Sequence, residues 1–352
     1  MVSKIAIGAV LVVAIVAIGS YILLASQPQQ PVQITAGGAS FPYPVITKWA
    51  PEYNKLYAYI EISYQSVGSG GGQNNLFAKT FDFAGSDAPL TDAQLANYTV
   101  VHIPETIGGV VVIYNIPTLN ATIRLTADVI AQVFQGNITK WNDAAIASLN
   151  PALTLPNADI VVVRRSDSSG TTFVFTSYLT NASSLWTLGS GTNVNWPVGL
   201  GGSGNSGVAS LVQQTPYSIG YVEYFYAKNN GLPSAAVQNQ NGEFVEASLA
   251  SIAEAARQGT SLLTSDVRAA IVNMPGSGVY PISAFTYLLV FKDLSYMTQA
   301  EATAIANFIW WAIHDGQSYT EALYYPRLPS EIVSLGESIL RQITYNGVAI
   351  LR

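Results

Sequence analysis

The 352-residue chain contains no cysteine. That excludes disulfides, zinc–thiolate centres, a thiol nucleophile and a lipid-modified N-terminal cysteine. It leaves the compartment open, because a chain with a large core can be extracellular without disulfides. Histidine is nearly absent as well. His102 and His314 are the only two, in no metal-ligand spacing, which argues against a zinc centre or histidine-based catalysis. Charged residues make up 10% of the chain, against roughly 25% in ordinary soluble domains. With a net charge of −6 and no basic tract, nucleic acid and anionic membrane surfaces are poor partners. The same balance gives an anionic ligand no long-range steering, so an anion site here must act locally.

What is present begins with a short positive head, Met1 to Lys4, followed by an uncharged run over residues 5–25. An apolar run of about 20 residues spans a bilayer as a helix. The exit, Leu23-Leu24-Ala25-Ser26, is a weak cleavage site, so residues 1–25 are expected to be an uncleaved membrane anchor rather than a signal peptide. Lys4 and the amino terminus should stay cytoplasmic, placing the body outside the cell. Gln27-Pro-Gln-Gln-Pro reads as a semi-extended stalk, within a linker over residues 26–32. Asn-x-Ser/Thr triplets at Asn97, Asn120, Asn137 and Asn181 are compatible with that placement.

From Gln33 the pattern is strand, turn, helix, repeated. Ile34-Thr-Ala-Gly-Gly-Ala-Ser-Phe-Pro is a strand end, a glycine turn and a helix start with Pro42 near the first helical position. A strand over 59–64 runs into Val67-Gly-Ser-Gly-Gly-Gly, with a helix expected over 73–79. A short strand at 81–84 stops at Gly85-Ser-Asp-Ala-Pro. Polar clusters thus follow strand C-termini, where open α/β sheets bind ligands. Residues 106–114 and 282–291 read as long buried strands and as crossings between two lobes. Helices are expected over 127–134, 143–149, 208–214, 249–258, 298–314 and 329–344.

The chain is organised around residues 160–178. Ile160-Val-Val-Val is a buried strand and 171–178 opens a helix. Between them lie Arg164, Arg165, Asp167, Ser168, Ser169 and Gly170. A helix start leaves backbone N–H groups unpaired at the positive end of its dipole. Gly170 allows close approach, Ser169 and Thr171 add hydroxyls, and Arg164 or Arg165 supplies a planar cation. This suits a tetrahedral oxyanion. Each piece alone also fits an ordinary N-cap or surface ion pair.

Four clusters in order carry a resemblance. Gly38-Ala-Ser-Phe-Pro, Gly68-Ser-Gly-Gly-Gly, Gly85-Ser-Asp-Ala-Pro-Leu and Arg164-Arg-Ser-Asp-Ser-Ser-Gly-Thr-Thr-Phe resemble the extracellular phosphate-binding proteins of ABC-type phosphate importers. Ile107-Gly-Gly-Val-Val, Trp196-Pro-Val-Gly-Leu-Gly-Gly and Ile219-Gly-Tyr-Val-Glu-Tyr extend it. The resemblance implies an α/β, two-lobed periplasmic-binding-protein-like fold of the class II type, here with an N-terminal transmembrane helix. Lobe I would comprise 33–106 and 283–352, and lobe II 107–282. The implied role is capture of inorganic phosphate outside the cell and delivery to the transmembrane subunits of an ABC-type permease, with no catalytic residue, metal or cofactor. The implied ligand groups are Ser40 with the backbone of Phe41, Ser69, Asp87, and Arg165 with Ser169, Gly170 and Thr171, while Asp167 orients Arg165 through an ion pair. Ser40 stands where threonine is common. Ser168 stands where glycine is common, which limits access to positive φ.

A carboxylate beside an anion makes sense if the ligand carries a proton. Phosphate near neutral pH can donate to Asp87, whereas sulfate has no proton and meets only repulsion. Other readings are a binding protein for another oxyanion, a surface adhesive protein keeping only the fold, or an enzyme with Ser69 or Ser169 as nucleophile. Against the last, the chain has no Gly-x-Ser-x-Gly elbow and no histidine placed as a base.

Overall fold

The computed structural model describes residues 31–117 and 119–351. The chain opens with β1 (Val32–Gly38), α1 (Tyr43–Leu56), β2 (Ile60–Ser66), α2 (Gly68–Phe77), β3 (Phe83–Ser86) and α3 (Asp92–Leu95). The long β4 (Val100–Asn115) leads to β5 (Arg124–Leu125), α4 (Ala127–Phe134), α5 (Ala144–Ala147), β6 (Val161–Arg165) and α6 (Gly170–Ala182). Next come β7 (Leu200–Gly202), α7 (Gly204–Gln214), β8 (Ser218–Glu223), α8 (Tyr224–Asn229), β9 (Ala236–Gln238), β10 (Phe244–Val245) and α9 (Leu249–Ser265). The last elements are β11 (Ser283–Phe291), α10 (Gln299–Ile313), α11 (Ser330–Leu340), β12 (Thr344–Tyr345) and β13 (Val348–Ala349).

Eight strands join in the order β2-β1-β3-β11-β4-β8-β6-β7. β4 links the two halves. Its residues 100–109 pair with β11, whereas residues 110–115 pair with β8. Its Val110-Val-Val-Ile run is fully buried, as expected of a strand covered on both faces. Each half has its own aromatic core. On one side Tyr53 meets Phe308 at 5.3 Å and Trp311 at 5.4 Å; on the other Phe175 stacks on Tyr221 at 4.3 Å and meets Phe134 at 4.9 Å.

β1 runs parallel to β2 and β3, and β6 parallel to β7 and β8. In each half, therefore, the strand C-termini and the helix starts that follow them share one rim. α2 departs from expectation, opening at Gly68 rather than Gln73. The glycines cost helix propensity, but side chains there would not fit. A Cβ on Gly72 would lie 2.6 Å from the Gly38 backbone.

The run read as a membrane anchor lies outside the described residues. Among those described, no helix is long and apolar enough to cross a membrane. Val32, read as the end of the linker, opens β1. Asn97, Asn120, Asn137 and Asn181 are all exposed.

Candidate anion-binding cleft between the lobes

Four helix starts converge where the two rims meet. They are the turn into α1 at Ser40-Phe41, the start of α2 at Gly68-Ser69, that of α6 at Ser169-Gly170-Thr171, and that of α7 at Gly204-Asn205. Asp87 follows β3 into the same space. The halves touch directly. Gly70 N–H donates to Ser168 O at 3.1 Å, Asn205 N–H to Ser40 Oγ at 3.1 Å, and the Tyr226 hydroxyl to Ser40 O at 2.6 Å. Gly170 is required by this closeness, because a methyl group there would run into Ser69 Oγ and Asp87 Oδ2. Gly68 has φ +78°, and a Cβ on it would lie 2.6 Å from Asp167 Oδ2. Both facts favour glycine.

Arg165 ends β6 and is only 3% exposed. Strand alternation decides between the two arginines. Arg165 faces inward, whereas Arg164 is half-buried on the opposite face with Nη1 donating to the Arg165 carbonyl at 3.2 Å. The Arg165 guanidinium grips Asp167 with two N–H groups, Nε to Oδ1 at 2.7 Å and Nη2 to Oδ2. Nη1 reaches Thr171 Oγ1 at 3.3 Å, and Gly204 N–H donates to Asp167 Oδ1 at 3.2 Å. Burial alone would raise the Asp167 carboxyl, but the Arg165 hydrogen bonds and charge and the Gly204 N–H outweigh it and hold it below the usual range.

The hydroxyls are held by fixed donors. Ser69 Oγ accepts from Asp87 N–H at 3.3 Å, and Ser169 caps α6 by accepting from Thr172 N–H at 3.0 Å. Each keeps its own O–H free to donate. Phe41 is fully buried, its carbonyl held by the Tyr325 hydroxyl at 2.7 Å. Ser168 does not adopt positive φ; its Oγ donates to Thr192 Oγ1 at 2.9 Å.

Asp87 is the exception in this well-paired setting. It is 3% exposed, and among the described residues neither carboxylate oxygen has a partner at hydrogen-bond geometry. Burial pushes its carboxyl up to about 8, against the opposing pull of Arg165 and the nearby Thr171. Glu105 and Glu223, also buried, are raised well above the usual range, chiefly by burial. With Arg165 already paired to Asp167, the cleft has little surplus positive charge. Its capacity for an anion lies in oriented N–H and O–H donors.

Ser40, Phe41, Ser69, Asp87, Arg165, Ser169, Gly170 and Thr171 are thus all gathered here, with Asp167 behind Arg165. Asn205 was not singled out in the sequence, although it is fully buried at the centre. Its only signal is its position at a helix start within a Gly-Ser-rich run. Glu223 lies in the Ile219-Gly-Tyr-Val-Glu-Tyr stretch, which assigns it no role, and Tyr226 and Tyr325, whose hydroxyls hold the Ser40–Phe41 turn, carry no local motif.

A family model described as a PBP superfamily domain matches residues 25–315. The chain is 43% identical over 304 residues to the phosphate-binding protein PstS of Pasteurella multocida, spanning 85% of this chain and 87% of that protein. It is 35% identical over 335 residues to the phosphate-binding protein PstS of Methanocaldococcus jannaschii, spanning 88% and 86%. The crystal structure of a phosphate-binding protein from Stenotrophomonas maltophilia superposes with a TM-score of 0.68 at 20% identity, covering 90% of this chain and 96% of that one, and so speaks to the fold. With this sheet topology, and relatives that align over most of both chains, the protein belongs to the PstS phosphate-binding protein family of the PBP superfamily.

Proposed function

We propose that this cleft is the phosphate site, held by Ser40, the Phe41 backbone, Ser69, Asp87, Arg165, Ser169, Gly170 and Thr171. The protein captures inorganic phosphate outside the cell and delivers it to an ABC-type permease; it is a solute-binding protein and not an enzyme. The observation that carries the site assignment is the buried, unpartnered carboxylate of Asp87 set among helix starts and a guanidinium. Asp87 ionises as the pH rises through about 8, and an ionised carboxylate only accepts hydrogen bonds. A ligand there must present several acceptors to the N–H and O–H groups and at least one proton to Asp87. Hydrogen phosphate meets both demands, and sulfate fails the second.

The lobes would comprise 33–106 with 283–352, and 107–282. The change of β4 partner between Gly109 and Val110 supports that division. Lobes joined at such a crossing can close on a ligand by a hinge motion. Closure excludes water and strengthens each hydrogen bond. Residues 1–25 serve as a single-pass anchor with the lobes outside, and 26–32 as the linker; the uncharged N-terminal run supports this. Recovery of the protein from membranes with Met1 intact is the expected result, and an N-terminus near Ser26 excludes the anchor. For the site, equilibrium titration should give one phosphate per chain, and phosphate should raise the unfolding temperature. Absence of both effects rejects the assignment.

A further inference from the structure

The side-chain amide of Asn205 stands between two hydroxyls assigned above to the ligand. Its Nδ2 donates to Ser40 Oγ at 2.9 Å and to Thr171 Oγ1 at 3.1 Å. Its backbone N–H is a second donor to Ser40 Oγ, at 3.1 Å. The orientation of the amide is fixed from behind. Glu223 N–H, which can only donate, lies 3.0 Å from Asn205 Oδ1, so the NH2 end must face the hydroxyls. Thr171 Oγ1 receives a further donor from Arg165 Nη1 at 3.3 Å.

A hydroxyl has one proton to donate and two lone pairs to accept with. Ser40 Oγ accepts twice from Asn205; Thr171 Oγ1 accepts once from Asn205 and once from Arg165. In each case the lone pairs are engaged; the Ser40 proton has no acceptor among the described residues, and the Thr171 proton lies on the side of the Asp87 carboxyl. We infer that Asn205 is a specificity-determining positioning residue, which locks the Ser40 and Thr171 hydroxyls as donors toward the cleft. The inference rests on the phosphate assignment. A free hydroxyl rotates to suit either an acceptor or a donor. These two are committed to an acceptor, as an oxyanion offers, and turn away a ligand that presents N–H or O–H at those positions. Donors oriented before binding also need no reorganisation when the anion arrives.

The arrangement spans the cleft, since Ser40 precedes α1 while Asn205 and Thr171 begin α7 and α6. Asn205 is fully buried, and both hydrogens of its NH2 group are already used. It therefore acts through the hydroxyls rather than by touching the ligand.

The test is a double-mutant cycle read by calorimetric titration with inorganic phosphate, using Asn205→Ala, Ser40→Ala and the pair. Asn205→Ala should weaken phosphate binding about tenfold or more by itself, but by a clearly smaller factor, about threefold, once Ser40→Ala is present, because one of the two hydroxyls it orients has gone and only the Thr171 share remains. The same fold-loss in both backgrounds overturns the inference, since general damage to packing would be indifferent to the Ser40 hydroxyl. If Asn205→Ala does not fold, Asn205→Asp keeps the volume of the side chain. Its added charge repels phosphate in both backgrounds alike, so the interaction is still read from the cycle. Tight phosphate binding that survives every Asn205 substitution overturns the inference and leaves the phosphate assignment standing. Failure of the unmodified protein to bind phosphate overturns the assignment and the inference with it.

Discussion

Gly170, at the start of α6, and Asp87, just beyond β3, meet across the cleft with no room for a methyl group between them. Gly170 has ordinary helical backbone and is not among the positive-φ glycines, so alanine there is conformationally acceptable. Its side chain would nevertheless press on Ser69 Oγ and Asp87 Oδ2 in the arrangement described, where the two halves already touch, and separation of the halves would relieve it. Gly170→Ala should leave the unfolding temperature close to that of the unmodified protein while costing about 1–3 kcal/mol of phosphate affinity, the usual range for overpacking. Unchanged affinity by titration would count against so close an approach.

Arg165 is buried and spends two of its N–H groups on Asp167. Arg165→Ala should weaken phosphate binding by about 2–4 kcal/mol, as for loss of a charge-assisted, buried partner. Arg165→Lys should recover only part of this, since an ammonium cannot reproduce the planar fork. Titration of both variants checks the order. Equal affinity for the lysine variant and the unmodified protein would mean that charge alone suffices.

Asp87 holds its carboxyl up at about 8 by burial. The ionised form therefore weighs against the folded state. Its stability contribution is full below the unfolded value of 3.8 and is lost as pH rises toward 8. Asp87→Asn should accordingly stabilise the phosphate-free protein by roughly 2–4 kcal/mol at pH 8 and by much less near pH 4. Thermal unfolding at the two pH values measures the difference. A gain independent of pH would rule out ionisation as its source.

His102 behaves oppositely. It is buried on β4, with Nε2 accepting from Leu90 N–H at 2.9 Å, and burial, aided by Arg268 and opposed by Asp266, lowers it to about 4. The folded protein keeps it neutral where the unfolded chain, near 6.5, takes a proton. Stability is full above 6.5 and falls as pH drops toward 4, by up to about 3 kcal/mol. His102→Gln, whose amide oxygen can still accept from Leu90, should flatten that part of the pH–stability curve. An unchanged slope would assign the acid loss to other groups.

Much of this was legible because local signals agreed with the fold. The helix expected over 127–134 is α4 with the same bounds, opened by a Thr126 cap and carrying apolar residues at helical spacing. Polar clusters after strands mapped onto helix starts. What was not legible depended on contacts distant in sequence. β4 begins six residues before the expected 106, because His102, Pro104 and Glu105 look unlike a core strand yet are buried by long-range packing. α9 continues to Ser265 past the expected end at Gln258, through Gly259, which is small because Ile271 packs against it. Asn205 is one polar residue in a Gly-Ser-rich run until the fold places it against Ser40, 165 positions away. The residues by themselves leave Arg164 and Arg165 open; the resemblance names Arg165, and the phase of β6 supplies the physical reason, with Arg165 buried and Arg164 on the other face.

The most direct test of the central claim is the ratio of phosphate to sulfate affinity, measured by calorimetric titration at constant ionic strength, at a pH above 8 where Asp87 is ionised, in the unmodified protein and in Asp87→Asn. If Asp87 faces a proton of the bound anion, the unmodified protein prefers phosphate by at least about a hundredfold, and Asp87→Asn narrows that preference by strengthening sulfate binding. Comparable affinity for the two anions in the unmodified protein, or a preference that the substitution leaves unaltered, would contradict the account.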